Sequence, residues 1–271
     1  MRRVPPIFEL REVFYDYDGV TALQGLSLEI AQGERVALLG ANGSGKSTLL
    51  RILDGLYLAA KGTVHFEGVP LSAERLQNDD FALPFRRRVA LVFQNPDVQL
   101  FNPTVWDEVA FAPLQLKWSK EQVVARVNET LELMGISALR ERPPYRLSGG
   151  EKKRVALASV LVLDPDVLLL DEPTATLDPR SQSQVIDLIQ EWKGTSKTVI
   201  TATHQLEIVE DIADRIVVLE GGRVAADGST AEILGNQELL LRANLVHAHR
   251  HSHGDVTHSH PHVHSHAKHE H

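Results

Sequence analysis

"RVALLGANGSGKSTLLRIL" (residues 35–53) joins a short apolar run to an amphipathic one through Gly40, Ala41, Asn42, Gly43, Ser44, Gly45, Lys46 and Ser47. The pattern is G-x-x-x-x-G-K-S, set between a strand and a helix that begins near Lys46. Phosphate chemistry explains the spacing. Glycines let the backbone curl so that successive N–H groups point inward at phosphate oxygens, and the helix start adds its partial positive charge. Lys46 can then reach β and γ phosphates, and the Ser47 hydroxyl, followed by Thr48, can ligate Mg²⁺. A glycine-rich turn with an incidental lysine does not account for strand, helix, spacing and Ser-Thr pair together.

Such a loop needs a carboxylate at the end of a buried strand. "VLLLDEP" (residues 167–173) supplies one, because Asp171 follows four apolar residues and is placed to hold Mg²⁺ through water. Glu172, just outside the strand, is placed to orient or deprotonate an attacking water. Around these two segments, short apolar runs alternate with longer amphipathic ones, the pattern of an α/β sheet covered by helices. Strands are expected at 8–15, 26–30, 35–40, 62–68, 88–94, 167–171 and 198–203, with a final pair turning at Gly221 and Gly222. The continuously apolar "RVALLG" and "VLLLD" suit central parallel strands. From 96 to 163 the period becomes helical, with Ser119 as an N-cap and a stop at Gly135, so a helical subdomain is expected inside the α/β core. No repeat of 20–50 residues is present.

Composition narrows the function classes. The 271 residues hold one large domain or two small ones, and a hydrophobic share of 43% is enough for a sizeable core. A net charge of −8 argues against nucleic-acid binding through phosphates. With no cysteine, thiol catalysis, disulfides and cysteine-bound zinc are excluded. The longest nearly unbroken apolar run, "VALASVLVL", has nine residues, whereas a membrane span needs about twenty. "MRRVPPIFEL" carries no apolar stretch behind its arginines and is not expected to be a secretory leader.

"RLSGGEKKRVALASVL" lies about 100 residues after the phosphate loop. In isolation its Ser148 and Glu151 would read as a helix N-cap and capping box. In combination with the loop and "VLLLDEP", the chain resembles the ATP-binding-cassette ATPases over residues 7–235. That resemblance implies a P-loop NTPase (RecA-like) core, an N-terminal antiparallel β subdomain and an inserted helical subdomain that carries the signature. It implies ATP and Mg²⁺ as ligands. Lys46, Glu172 and His204 become catalytic candidates, with Ser47, Gln94 and Asp171 around Mg²⁺. Tyr17 is similar to the aromatic that stacks on adenine, with Tyr15 competing for that role. Gln94 resembles the Q-loop glutamine, Asp178 the D-loop dimer contact, and His204 the switch histidine that senses the γ-phosphate. Gln205 departs from the aspartate that often follows that histidine. Ser148, Gly149, Gly150 and Glu151 would complete the nucleotide site of a second subunit, which favours a homodimer.

"FQNPDVQLFNPTVWDEVAFAPLQL" resembles the ATPase subunits of energy-coupling-factor importers. The implied partners are a transmembrane coupling protein and a substrate-binding membrane component, with this chain peripheral on the cytoplasmic side of the cell membrane. Val98, Leu100 and Phe101 are candidate apolar docking residues. Beyond 245, apolar periodicity ends and a low-complexity tail (246–271) is expected to be disordered. Eleven of the thirteen histidines fall there: His247, His249, His251, His253, His258, His260, His262, His264, His266, His269 and His271. Neutral imidazole suits Ni²⁺, Co²⁺, Cu²⁺ and Zn²⁺, and a flexible tail without acids at fixed geometry does not select strongly among them. Together with the importer resemblance, the tail points to nickel or cobalt as cargo. A vitamin or other cargo remains the alternative reading, as does a non-transport ATPase.

Overall fold

Five parallel strands and one antiparallel edge strand make the sheet on which the phosphate loop rests. In chain order, β1 (Phe8–Tyr17) and β2 (Val20–Ile30) form a hairpin through Asp18 and Gly19, both at positive φ, as a primed two-residue turn requires. β3 (Arg35–Leu39) leads into α1 (Lys46–Leu53), followed by β4 (Lys61–Phe66), β5 (Val69–Pro70), α2 (Ala73–Gln77), α3 (Asp79–Arg88) and β6 (Val89–Val92). Next come α4 (Val105–Gln115), α5 (Lys120–Leu133) and α6 (Gly149–Leu161). The remainder is β7 (Val167–Asp171), α7 (Pro179–Glu191), β8 (Thr198–Ala202), α8 (Val209–Ile212), β9 (Arg215–Glu220), β10 (Arg223–Ser229), α9 (Thr230–Leu234) and α10 (Gln237–Arg242). The computed structural model describes residues 6–175, 177–246, 248–253 and 256–261.

The large sheet runs β10-β9-β3-β8-β7-β6, and only the β10–β9 pair is antiparallel. Every residue of β3, β7 and β8 is buried, as strands covered on both faces must be. A four-stranded antiparallel sheet, β2-β1-β4-β5, packs its inner face (Phe8, Leu10, Leu26, Val64, Phe66) against α1 and one side of the large sheet. Helices α6 and α7 cover the other side through Leu157, Leu161, Val185 and Ile189. A third core holds α4, α5 and α6 together around Val105, Val109, Val127, Leu131 and Val155. Ser119 caps α5 in a capping box, and Gly135 follows its end at φ 62°.

Three local differences from the sequence reading have physical causes. β2 starts six residues earlier than the apolar run at 26–30, because β1 supplies its hydrogen bonds even where its edge-strand side chains stay exposed. α3 was not expected at all. Pro84 and three consecutive arginines break its apolar period, and only Ala82 and Phe85 are buried. Within the tail, Ala248–His253 (β11) pairs antiparallel with Val256–Pro261 (β12), setting His249 opposite His260 and His251 opposite His258. An alternating sequence is compatible with strand pairing, although a lone two-stranded hairpin is marginal in water. His247, His262, His264, His266, His269 and His271 lie outside the described residues. Among the described residues no helix is long and apolar enough to cross a membrane.

Candidate functional site

The strand order sets β3, β8 and β7 side by side, so their carboxyl ends bring three segments together: Gly40 onward, Thr203–His204 and Asp171–Glu172. Ligands of open α/β sheets bind beyond such carboxyl ends. A cleft of about 530 Å³ opens there, lined by residues 42–48 and by Tyr17, Gln94, Asp171, Glu172 and His204. Segments from 17 to 204 in the sequence thus meet in one place.

The loop's curl depends on its glycines. Gly40 has φ 153°, and a Cβ there would come within 2.4 Å of the Leu219 carbonyl and 2.5 Å of the Ser44 hydroxyl. Gly45 has φ 106° and presses on the Ala22 carbonyl, which a Cβ would meet at 2.7 Å. Having no side chain, Gly45 cannot cap α1, so the first amides of that helix stay available to an anion. The Ser44 hydroxyl is buried without a hydrogen-bond partner among the described residues, a polar group suited to a ligand oxygen. Lys46 is buried, and its ammonium donates to the Gly40 carbonyl at 2.6 Å and the Ala41 carbonyl at 3.1 Å. Burial pulls its pKa below the usual lysine value, against the attraction of Glu172 and Asp171.

Opposite the loop, the Ser47 hydroxyl donates to Asp171 Oδ1 at 3.0 Å. Burial raises the Asp171 pKa, opposed by that hydrogen bond and by Arg51. Two hard oxygens so placed, with Gln94 on the same cleft, fit Mg²⁺. Glu172 is 5% exposed and adopts φ 46°, a left-handed conformation that a non-glycine residue holds only under constraint. The constraint is visible: its N–H donates to the Ala202 carbonyl at 2.9 Å, and Thr203 Oγ1 donates to Oε2 at 3.2 Å. Oε1 lies 2.7 Å from His204 Nδ1. The acid and the histidine are therefore held together as one hydrogen-bonded pair. Gln205, the departure from the usual aspartate, accepts from Thr174 Oγ1 at 2.5 Å and anchors the same strand end.

Tyr17 and Tyr15, two positions apart, are separated by packing. Tyr15 packs against the core and stacks on Tyr57 at 5.1 Å, whereas Tyr17 lines the cleft, its hydroxyl 3.3 Å from Thr48 Oγ1 and 3.4 Å from Arg51. Sequence reading missed Arg51, Thr203 and Lys153. The last is a buried lysine on α6 that donates to the Phe93 and Gln94 carbonyls, and burial pushes its pKa down to about 8.

The signature residues are not part of the cleft. Ser148 caps α6 in a capping box with Glu151, which holds the Glu151 carboxyl below its ordinary pKa. Asp178 caps α7 through the Arg180 and Ser181 amides and the Ser181 hydroxyl. The two helix starts are neighbours, since a Cβ on Gly150 would lie 3.6 Å from Asp178 Oδ2. They form a second polar patch of their own. Of the expected docking residues, Val98 and Phe101 are each 68% exposed. Leu100 is corrected, because it packs between the second and third cores rather than facing outward. Phe101 instead meets Phe111 edge to face at 5.0 Å.

Comparison with known proteins gives a consistent set of similarities. The sequence profile of the family described as ABC transporter matches residues 23–175. The chain is 54% identical to the nickel import ATP-binding protein NikO of Rhodobacter capsulatus, over 89% of this chain and 96% of that protein. It is 46% identical to the energy-coupling factor transporter ATP-binding protein EcfA2 of Methanospirillum hungatei, over 89% of this chain and 60% of that one. Among solved structures it resembles cbiO1 of Clostridium perfringens, part of the ABC transporter complex cbiONQ. That match has a TM-score of 0.73 and 37% identity, and it covers 89% and 95% of the two chains. A dimeric ATP-binding cassette in a post-hydrolysis state with ADP and phosphate, MJ0796, matches with a TM-score of 0.73 and 27% identity over 82% and 98%.

Proposed function

This chain belongs to the ABC transporter family as an ATPase of its nickel-importer and energy-coupling-factor branch, and from that premise we propose that it energises uptake of nickel, the cargo in one relative's name, or of cobalt, which the same imidazole ligands suit. The observation that carries its chemistry is the single cleft in which the phosphate loop faces Asp171, Glu172 and His204. The loop amides and Lys46 cradle the triphosphate, and Tyr17 stacks on adenine. Ser47 and Gln94, with Asp171 behind them, would hold Mg²⁺, which would supply positive charge to the triphosphate. Glu172 takes the proton of the attacking water, and His204 fixes the carboxylate and faces the γ-phosphate.

Because Ser148, Gly149 and Gly150 lie outside their own cleft, they serve the nucleotide of a second copy, with Asp178 beside them at the contact. ATP then favours the closed pair and hydrolysis releases it. His204→Ala should lower ATP turnover at least about 10²-fold, since it unties the Glu172 carboxylate. Steady-state phosphate release measures this, and an unchanged rate would remove His204 from the mechanism.

Residues 7–245 make up the ATPase unit in this reading, with the helical part at 96–163 inserted. Exposed Val98 and Phe101 near Gln94 suit docking of a membrane subunit. Residues 246–271 collect incoming metal ions on imidazole nitrogens. The pairing of His249 with His260 and of His251 with His258 supports this, because it gathers four ligand positions on one short ribbon. A chain ended after Leu245 should import labelled nickel or cobalt with a weaker response to external metal than the full chain. Identical uptake and identical response would exclude a transport role for the tail. Metal binding to the tail should also weaken as pH falls below about 6.5, because protons compete for imidazole. Equilibrium dialysis across that range checks the direction.

A further inference from the structure

Lys153 sits two residues beyond the signature on α6, is 2% exposed, and among the described residues gives its ammonium to backbone carbonyls alone. It donates to Phe93 at 3.0 Å and to Gln94 at 3.3 Å, and it approaches the Glu172 carbonyl at 3.5 Å. Removing a lysine from water is costly, and an apolar side chain would fill the same space without that cost. The return is geometric, because these acceptors come from two separate segments that both line the nucleotide cleft.

Glu172 shows what needs holding. Its left-handed backbone is fixed on one side by the N–H bond to Ala202, while its carbonyl accepts from the Ala175 N–H at 3.3 Å and faces the Lys153 ammonium at 3.5 Å. The carboxylate is held by Thr203 and His204. Lys153 is the only one of these partners that belongs to α6. The same helix grips the Gln94 segment at two more places. Lys152 pairs with Asp97 at 2.6 Å, and the Gln99 amide donates to the Ala156 carbonyl and the Ser159 hydroxyl, both at 3.0 Å. Helix α6 and the Gln94 segment are therefore tied to one another, and Lys153 extends those ties to Glu172.

We infer that Lys153 is a positioning residue that sets the peptide orientation of Glu172 against the Gln94 segment and transmits displacement of the signature helix to that acid. The inference rests on the proposed role of Glu172. A shift of Ser148 when it engages the second copy's nucleotide would then reach the hydrolytic acid of its own cleft through one side chain.

Lys153→Met in the full chain keeps the volume and removes the donor. The expected result is a kcat at least about tenfold lower, with KM for ATP changed less than about twofold. In the Glu172→Gln background, where single-turnover cleavage of labelled ATP reads the residual rate, adding Lys153→Met should slow the reaction by less than about twofold. Two changes that act through one group are not additive. A structural role alone would instead move KM and the melting temperature, and its loss would multiply onto that of Glu172→Gln. Either that pattern or wild-type kcat in Lys153→Met overturns the inference while the role of Glu172 stands. Wild-type turnover by Glu172→Gln alone would overturn both. Should Lys153→Met not fold, Lys153→Gln, which keeps an N–H donor of shorter reach, decides on the same two readings.

Discussion

Glu172→Gln is expected to bind ATP, to accumulate as an ATP-held dimer, and to hydrolyse about 10²–10⁴-fold more slowly than the unaltered chain. Gln is nearly isosteric, so the left-handed backbone, the Ala202 hydrogen bond and the packing of a side chain that is 5% exposed all survive. Its oxygen still accepts from Thr203, and its amide still has His204 beside it. What disappears is the ability to accept a proton from water. The phosphate-binding groups lie across the cleft in the loop after β3 and on α1 and are untouched. Binding and pairing should thus separate cleanly from turnover. Phosphate release gives the rate, and light scattering with ATP gives the mass. Turnover at the wild-type rate would remove Glu172 from its role. A chain that stayed monomeric with ATP, even with membrane subunits supplied, would overturn the two-subunit mechanism.

Lys46→Ala should fail one step earlier. Its ammonium is buried, and its present acceptors, the Gly40 and Ala41 carbonyls, sit at the mouth of the loop. Triphosphate oxygens offer far stronger acceptors at the same spot. Truncating one partner of a buried, hydrogen-bonded charge pair costs about 2–5 kcal/mol, which is roughly 30- to 5,000-fold in affinity. Titration with a fluorescent ATP analogue should show that loss. Light scattering should find no dimer at ATP concentrations that pair Glu172→Gln completely. The fold should persist, because the curl of the loop depends on Gly40 and Gly45 rather than on the lysine. Unchanged affinity would mean that the triphosphate binds elsewhere.

Much of this site is legible in the amino-acid sequence, and its legible part is the contiguous part. Eight successive residues from Gly40 to Ser47 carry the loop's chemistry, and four apolar residues before Asp171 announce a buried strand end. Such features arise from short-range backbone conformation and local desolvation, which leave their mark in neighbouring letters. Even Ser148 and Glu151 were readable as a cap, and they do cap α6. Tyr15 and Tyr17 mark the limit of that legibility. Two positions apart on one strand, they share a face, so no periodicity separates them; a tyrosine from beyond α1, Tyr57, stacks on the first and meets the second only edge to face, which keeps Tyr17 on the cleft. Leu100 and Lys153 follow the same rule, because burial depends on what arrives from elsewhere in the chain. A lysine is ordinarily exposed, and only the approach of the Gln94 segment to α6 turns Lys153 inward. The sequence alone thus specified the reacting groups and the order in which the chain carries them. The tertiary structure decided which of them meet: the β3-β8-β7 order sets loop, acid and histidine around one cleft and leaves the signature apart, because strand neighbours are chosen by long-range packing and not by local sequence.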